Sequence, residues 1–142
     1  MKCIATIILC MLALLWQTAQ ADTVSELRPA IYEAAKKNGV DPVLMEAIIR
    51  HESANATSHA ARTKNNLAGI MGRKGQRRYA SKEECIAHLG TILGKYKTKG
   101  RTTVAQIGRV YCQSRSPWAS HVSGYMQRIR DGRYGDISAY GM

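Results

Sequence analysis

Apolar residues recur three and four positions apart in five stretches, and each stretch opens on a residue suited to capping a helix. Thr23-x-x-Glu26 reads as a capping box, followed by a stripe of Val24, Leu27, Ile31 and Ala34 that Gly39 closes. Asp41-Pro42 supplies an N-cap with proline at the first helical position, and the helix it opens runs to about Glu52. Ser81-x-x-Glu84 opens a third helix carrying Cys85, Leu89, Ile92 and Tyr96 on one side. Thr103-x-x-Gln106 opens a fourth with Val104, Ile107, Val110 and Tyr111, and Ser116-Pro117 a fifth with Trp118, Val122, Tyr125 and Ile129, closed by Gly132. No stretch alternates as a strand does. The expected fold is all-α, about five helices in one small domain, with room for a short hairpin in the polar, glycine-containing stretch from Asn55 to Gly75.

The first residues follow a different pattern. Lys2, an apolar run from Ile4 to Trp16 and the small residues Ala19-Gln20-Ala21 have the layout of a secretory signal cleaved after Ala21. The run is too short to span a bilayer comfortably. The expected organisation is a signal peptide over 1–21, a domain over 22–132 and a loosely attached tail over 133–142, with an exported, periplasmic or extracellular location. Cleavage would remove Cys3 and Cys10, leaving Cys85 and Cys112 as an even pair in an oxidising compartment. The expectation is one disulfide, worth roughly 3 kcal/mol through restriction of the unfolded chain. Neither a CxxC nor a histidine cluster accompanies the pair, so no metal is expected. The formal net charge of +11 over 142 residues implies an acidic partner or surface, and a bacterial envelope supplies several.

Leu44, Met45, Ile48 and Ile49 form the buried face of the second helix, and Glu52 continues that face. Burying a carboxylate is costly, and desolvation would favour its protonated form, the state a general acid needs. Helix geometry is also served by a carboxylate that reaches solvent or pairs with Arg50, Arg62 or Lys64.

The residues that follow carry further information. Glu52-Ser53, eleven intervening residues and Asn65-Asn66-Leu67-Ala68-Gly69-Ile70 resemble the E-S…N-N-L-F-G-I pattern of the glucosaminidase-domain family of peptidoglycan hydrolases, which includes the flagellar wall-cutting enzymes and belongs to the lysozyme-like superfamily. Tyr79 to Glu84 resembles that family's Y-x-S-x-E-E helix start. Tyr111 to Ala119 resembles its Y-A-T-D-P-x-Y-A segment, with one extra residue and Trp118 in place of tyrosine. The resemblance spans roughly Asp41 to Ile129. A looser likeness joins Glu52-Ser53 and Gly69-Ile70-Met71-Gly72 to the E-S…G-L-M-Q pattern of lytic transglycosylases.

The resemblance implies a lysozyme-like enzyme, without cofactor, that cuts the β-1,4 bond between N-acetylglucosamine and N-acetylmuramic acid, with Glu52 as catalytic acid. It also implies substrate-binding roles: Ser53 orienting the acid, Asn65 and Asn66 bonding N-acetyl groups, Tyr111 and Trp118 stacking on sugars or steadying the cation. An asparagine pair also suits a turn, and helix-face aromatics also suit a core. His51 reads as structural. Arg73, Lys74, Arg77 and Arg78 read as a solvated loop or as a grip on stem-peptide carboxylates. Relatives often carry a second acid in the hairpin, but Gly72 to Ala80 contains none. Glu83 and Glu84 are the nearest substitutes, and both also suit a helix start. A single-glutamate reaction, in which the sugar's own 6-hydroxyl attacks, is therefore an alternative to hydrolysis. The expected partners are peptidoglycan and an envelope-spanning machine, with no nucleic acid, for a monomeric protein. The competing reading is a non-catalytic cationic module that binds wall or membrane.

Overall fold

The computed structural model describes residues 22–112 and 117–141. The expected signal peptide over 1–21 and the expected cap Ser116 lie outside them. The described residues form seven α-helices: α1 (Thr23–Glu26), α2 (Arg28–Asn38), α3 (Pro42–Ser53), α4 (His59–Lys64), α5 (Lys82–Thr98), α6 (Val104–Tyr111) and α7 (Trp118–Arg130). Between α4 and α5 lies a two-stranded antiparallel hairpin, β1 (Met71–Gly72) with β2 (Gly75–Gln76), pairing Met71 with Gln76 and Gly72 with Gly75. A 3-10 turn, Ser138–Tyr140, follows α7. The all-α expectation holds, with the hairpin the one strand pair among the described residues.

The third, fourth and second helices begin as their sequences dictate. Asp41 accepts from Val43 N, Ser81 accepts from Glu84 N, and Thr103 and Gln106 form the reciprocal capping box. The first helix differs from its expectation. Asp22, rather than Thr23, caps it, and it breaks at Leu27 into α1 and α2. Proline explains the break, since Pro29 has no N–H to donate to Ser25 O and a continuous helix would lose that bond. Helix α4 carries too short a polar sequence to show a period, yet Ser58 caps its start and Asn65, left-handed at φ 52°, ends it.

Helix α3 is the axis of the domain. Every residue from Val43 to Arg50 is buried, with α2 and α7 packed against it and α5 packed against α2. The α2–α5 contact is close because Gly90 presents no side chain; a Cβ there would sit 3.1 Å from Ala34 O. Two of the buried α3 residues are charged. Glu46 receives Arg28 Nε at 2.9 Å and Nη2 at 3.0 Å, and Arg50 Nε at 2.9 Å and Nη2 at 2.8 Å. Arg50 also donates to Asp22 Oδ1 at 2.9 Å and Asn55 Oδ1 at 3.1 Å. Burial pushes the Asp22 carboxyl up, but the Arg50 and Ser25 hydrogen bonds prevail and hold it below its ordinary value.

Two expectations are overturned. Cys85 and Cys112 form no disulfide and are not at bonding distance. Cys85 sits fully buried in the first turn of α5, where its Sγ accepts from Leu67 N at 3.3 Å and burial pushes the thiol up. Cys112 instead caps the half-exposed end of α6. The tail is docked rather than loose: Tyr134 lies under the Arg50 guanidinium, 3.7 Å from its ring centroid, and stacks on Tyr125. Ser25 Oγ donates to Tyr134 O at 2.9 Å, Ile137 is buried, and Tyr140 packs on Tyr32 with ring centroids 4.5 Å apart.

Candidate active site

Glu52 stands in the last turn of α3, half-buried, where the chain turns sharply away. The three residues after Ser53 are all left-handed: Ala54, Asn55 and Ala56 have φ of 50°, 55° and 67°. Such conformations cost non-glycine residues roughly 1–2 kcal/mol each, so surrounding contacts must hold them. Ser53, fully buried, does this. Its hydroxyl donates to Ile49 O at 2.6 Å and accepts from Ala56 N at 2.8 Å. Ser53 is thereby committed to the turn that ends α3.

Each oxygen of the Glu52 carboxylate has its own neighbour. Trp118, in the first turn of α7, donates its indole N–H to Oε1 at 2.6 Å. Oε2 faces Gly69, where φ is +64° and a Cβ would lie 2.8 Å away. A side chain at position 69 would be strained and would displace the acid. Trp118 is 2% exposed, held between the Tyr111 ring, stacked at 5.4 Å and 30°, and Gly108, where a Cβ would lie 2.9 Å from Trp118 Cε3. Trp118 thus lacks an open face for a sugar and meets the site through its N–H. The Tyr111 hydroxyl donates to Ala68 O at 2.5 Å, tying α6 to the segment that carries Gly69. Burial pushes the Tyr111 phenol well above its ordinary value, and the neighbouring negative charge of Glu52 adds to the effect.

The asparagine pair shapes that segment. Asn66 is buried; its Nδ2 donates to Ile70 O and Arg77 O, and its Oδ1 accepts from Ala68 N and Ile70 N. One side chain therefore closes the base of the hairpin and fixes the backbone on both sides of Gly69. Asn65 Nδ2 donates to Tyr79 O and Ala80 O at 3.2 Å each. Both amide nitrogens are occupied by backbone carbonyls. His51 meets Trp118 edge to face, ring centroids 6.4 Å apart, and lies beside His121 and Tyr125.

No second carboxylate accompanies Glu52 among the described residues, which include all ten acids of the chain. Glu84 Oε2 accepts from Ala80 N at 2.7 Å, and Glu83 lines a groove between α2 and α5 with Ala30, Glu33 and Thr91. Asp22 and Glu46 belong to the arginine network, and Asp41 caps α3 and meets Arg130 at 3.4 Å. Asp131 meets Gln127, Asp136 meets Ser138, and Glu26 and Glu33 are exposed on α1 and α2. Arg50, a conceivable partner of Glu52, is committed to Glu46 and Asp22, so no ion pair reaches the acid among the described residues. No cluster of three or more metal-ligating side chains occurs among the described residues.

Sequence reasoning gave Glu52, Tyr111 and Trp118, which the fold brings together. It missed Gly69 as the neighbour of the acid, although Gly69 stands within the asparagine motif. It also missed the Arg28–Glu46–Arg50 network, whose signal is the i,i+4 pair Glu46 and Arg50 on an otherwise apolar helix.

No curated protein and no solved structure matches the chain. The model of the glucosaminidase family, described as mannosyl-glycoprotein endo-beta-N-acetylglucosaminidase, matches residues 28–140. That span takes in α2 through the closing 3-10 turn, with Glu52, Gly69, Tyr111 and Trp118 inside it. The chain belongs to the glucosaminidase family of glycosidases.

Proposed function

We propose that this protein is a peptidoglycan-cleaving enzyme that acts outside the cytoplasmic membrane, with Glu52 as both acid and base. The observation that carries the reading is the pinned carboxylate. Trp118 N–H holds Oε1, and Oε2 is left beside Gly69, where the missing side chain opens room for a glycosidic oxygen. An indole N–H is a donor and cannot accept, so a proton on Glu52 resides on Oε2. The acid is thus aimed from one defined oxygen.

Glu52 Oε2 gives its proton to the oxygen of the β-1,4 bond as the C1–O bond breaks and an oxocarbenium-like centre develops. A water-activating or nucleophilic carboxylate would ordinarily complete the reaction, and none stands beside Glu52. The nucleophile is then the substrate's own 6-hydroxyl. Its oxygen bonds to C1, its proton returns to the Glu52 carboxylate, and a 1,6-anhydro-N-acetylmuramic acid end results. Atoms balance and the acid is restored. Hydrolysis, with water taking the place of the 6-hydroxyl, is the second reading and is favoured by membership of the glucosaminidase family.

Mass spectrometry of the soluble products of purified peptidoglycan distinguishes the two. The single-acid reading predicts anhydro ends, 18 Da lighter than the corresponding reducing sugar by the loss of one water (about one water mass). Reducing ends would overturn it in favour of hydrolysis, and their identity, N-acetylglucosamine or N-acetylmuramic acid, would give the bond cut.

A further inference from the structure

The lobe facing Glu52 has a charge pattern that the cleavage chemistry does not use. From Ser53 to Lys82 the chain has no Asp or Glu, while Arg62, Lys64, Arg73, Lys74, Arg77, Arg78 and Lys82 all fall within it. The hairpin gathers four of these cations. Arg73 and Lys74 form its two-residue tip between the paired Gly72 and Gly75, and both are exposed. Arg77 lies over the Tyr79 ring, 5.4 Å from its centroid, and Arg78 is held by a hydrogen bond to Thr63 O. None of the four makes an ion pair among the described residues. Like charges packed without counterions repel one another, and an anionic ligand relieves that repulsion.

The placement of the hairpin says which anion. Asn66 roots it through Ile70 O and Arg77 O, and Gly69, one residue before that root, touches the acid. Arg73 is four positions beyond Gly69, a span of at most about 13 Å at full strand extension. A glycan strand whose scissile bond meets Glu52 Oε2 beside Gly69 therefore comes within reach of these cations.

We propose that the hairpin tip, Arg73 and Lys74, is a carboxylate-recognition site that grips the peptide stems of the glycan strand beside the bond being cut. This rests on the reading that the substrate is peptidoglycan. The enzyme then selects strands that bear stems over bare or neutral glycan.

The test uses the Glu52→Gln protein, whose turnover is expected to be at least about a hundredfold slower, and three soluble ligands: glycan strands with intact stems, the same strands with carboxylates amidated, and neutral N-acetylglucosamine oligomers. Intact strands are expected to bind several-fold more tightly than amidated ones, with the difference shrinking as salt is added. Adding Arg73→Ser and Lys74→Ser should weaken intact-strand binding about fivefold, to the amidated level, and leave the other two ligands unchanged. Equal affinity for intact and amidated strands would overturn the proposal, as would a double variant that binds intact strands normally. With phosphatidylglycerol vesicles as a fourth probe, a double variant that loses vesicle binding but keeps intact-strand binding would overturn it in favour of a membrane contact. Failure of the Glu52→Gln protein to bind any glycan, with no cleavage by the wild type, would instead remove the function on which the proposal rests.

Discussion

Trp118→Phe isolates the hydrogen bond proposed to aim Glu52. Phenylalanine keeps an aromatic ring against Tyr111 and removes the N–H that donates to Glu52 Oε1 at 2.6 Å in a site where Trp118 is 2% exposed. Hydrogen bonds to a charged partner contribute about 1.5–3 kcal/mol. If that energy orients Glu52 in the transition state, kcat/KM falls roughly 10- to 150-fold, since 1.36 kcal/mol is a factor of ten. The smaller ring also leaves a cavity, so stability falls by about 1–2 kcal/mol, judged against larger aromatic truncations. Turnover of soluble glycan strands should be measured at a temperature where both proteins are folded, with urea unfolding in parallel. The loss should reside in kcat, because the indole does not face the substrate. Activity within twofold of wild type, or a loss confined to KM, would refute the positioning role.

Other outcomes follow from the same contacts. Gly69→Ala forces a Cβ to 2.8 Å from Glu52 Oε2 at a left-handed φ; kcat should drop at least about tenfold, with a stability cost of about 1–2 kcal/mol, and an active variant would remove Oε2 as the working oxygen. Glu46→Ala leaves Arg28 and Arg50 buried without their shared carboxylate, so unfolding free energy should fall about 3–5 kcal/mol; a cost under 1 kcal/mol by urea denaturation (roughly that of a surface pair) would contradict the network's burial. In alkali, burial pushes Tyr32 and Tyr79 up to about 12 and Tyr111 also upward. These phenols stay protonated in the folded protein after the unfolded chain begins to ionise near pH ~10. Stability is therefore complete below about pH 10 and declines as pH rises toward 12. Tyr32→Phe, which removes a buried hydroxyl that has no hydrogen-bond partner, should flatten that decline without loss at neutral pH; denaturation midpoints against pH would show it.

The sequence was most readable where local chemistry alone decides the structure. Asp41, Ser81 and Thr103 cap helices through bonds to residues two or three positions away, and α3, α5 and α6 begin there. Glu52 was legible because one helix carries both it and the apolar face it continues. Distances between elements were not legible. Cys85 and Cys112 look like a pair in the sequence, yet whether their sulfurs meet depends on how α5 and α6 are placed. The roles of Ser53 and Asn66 turned on bonds the motif does not encode: Ser53 holds the left-handed turn, and Asn66 closes the hairpin base. The burial of Arg28 and Arg50 was not legible, because it depends on Glu46 and Asp22 being brought to them by the fold.

The central claim is that Glu52 breaks the glycan. Its most direct test is the release of soluble sugar from insoluble peptidoglycan by wild-type and Glu52→Gln proteins of matched fold. Removing a general acid typically costs about 10²–10⁴ in rate, so the account predicts that the variant releases fragments at least about a hundredfold more slowly while still binding the wall. Release by the variant at the wild-type rate would contradict it.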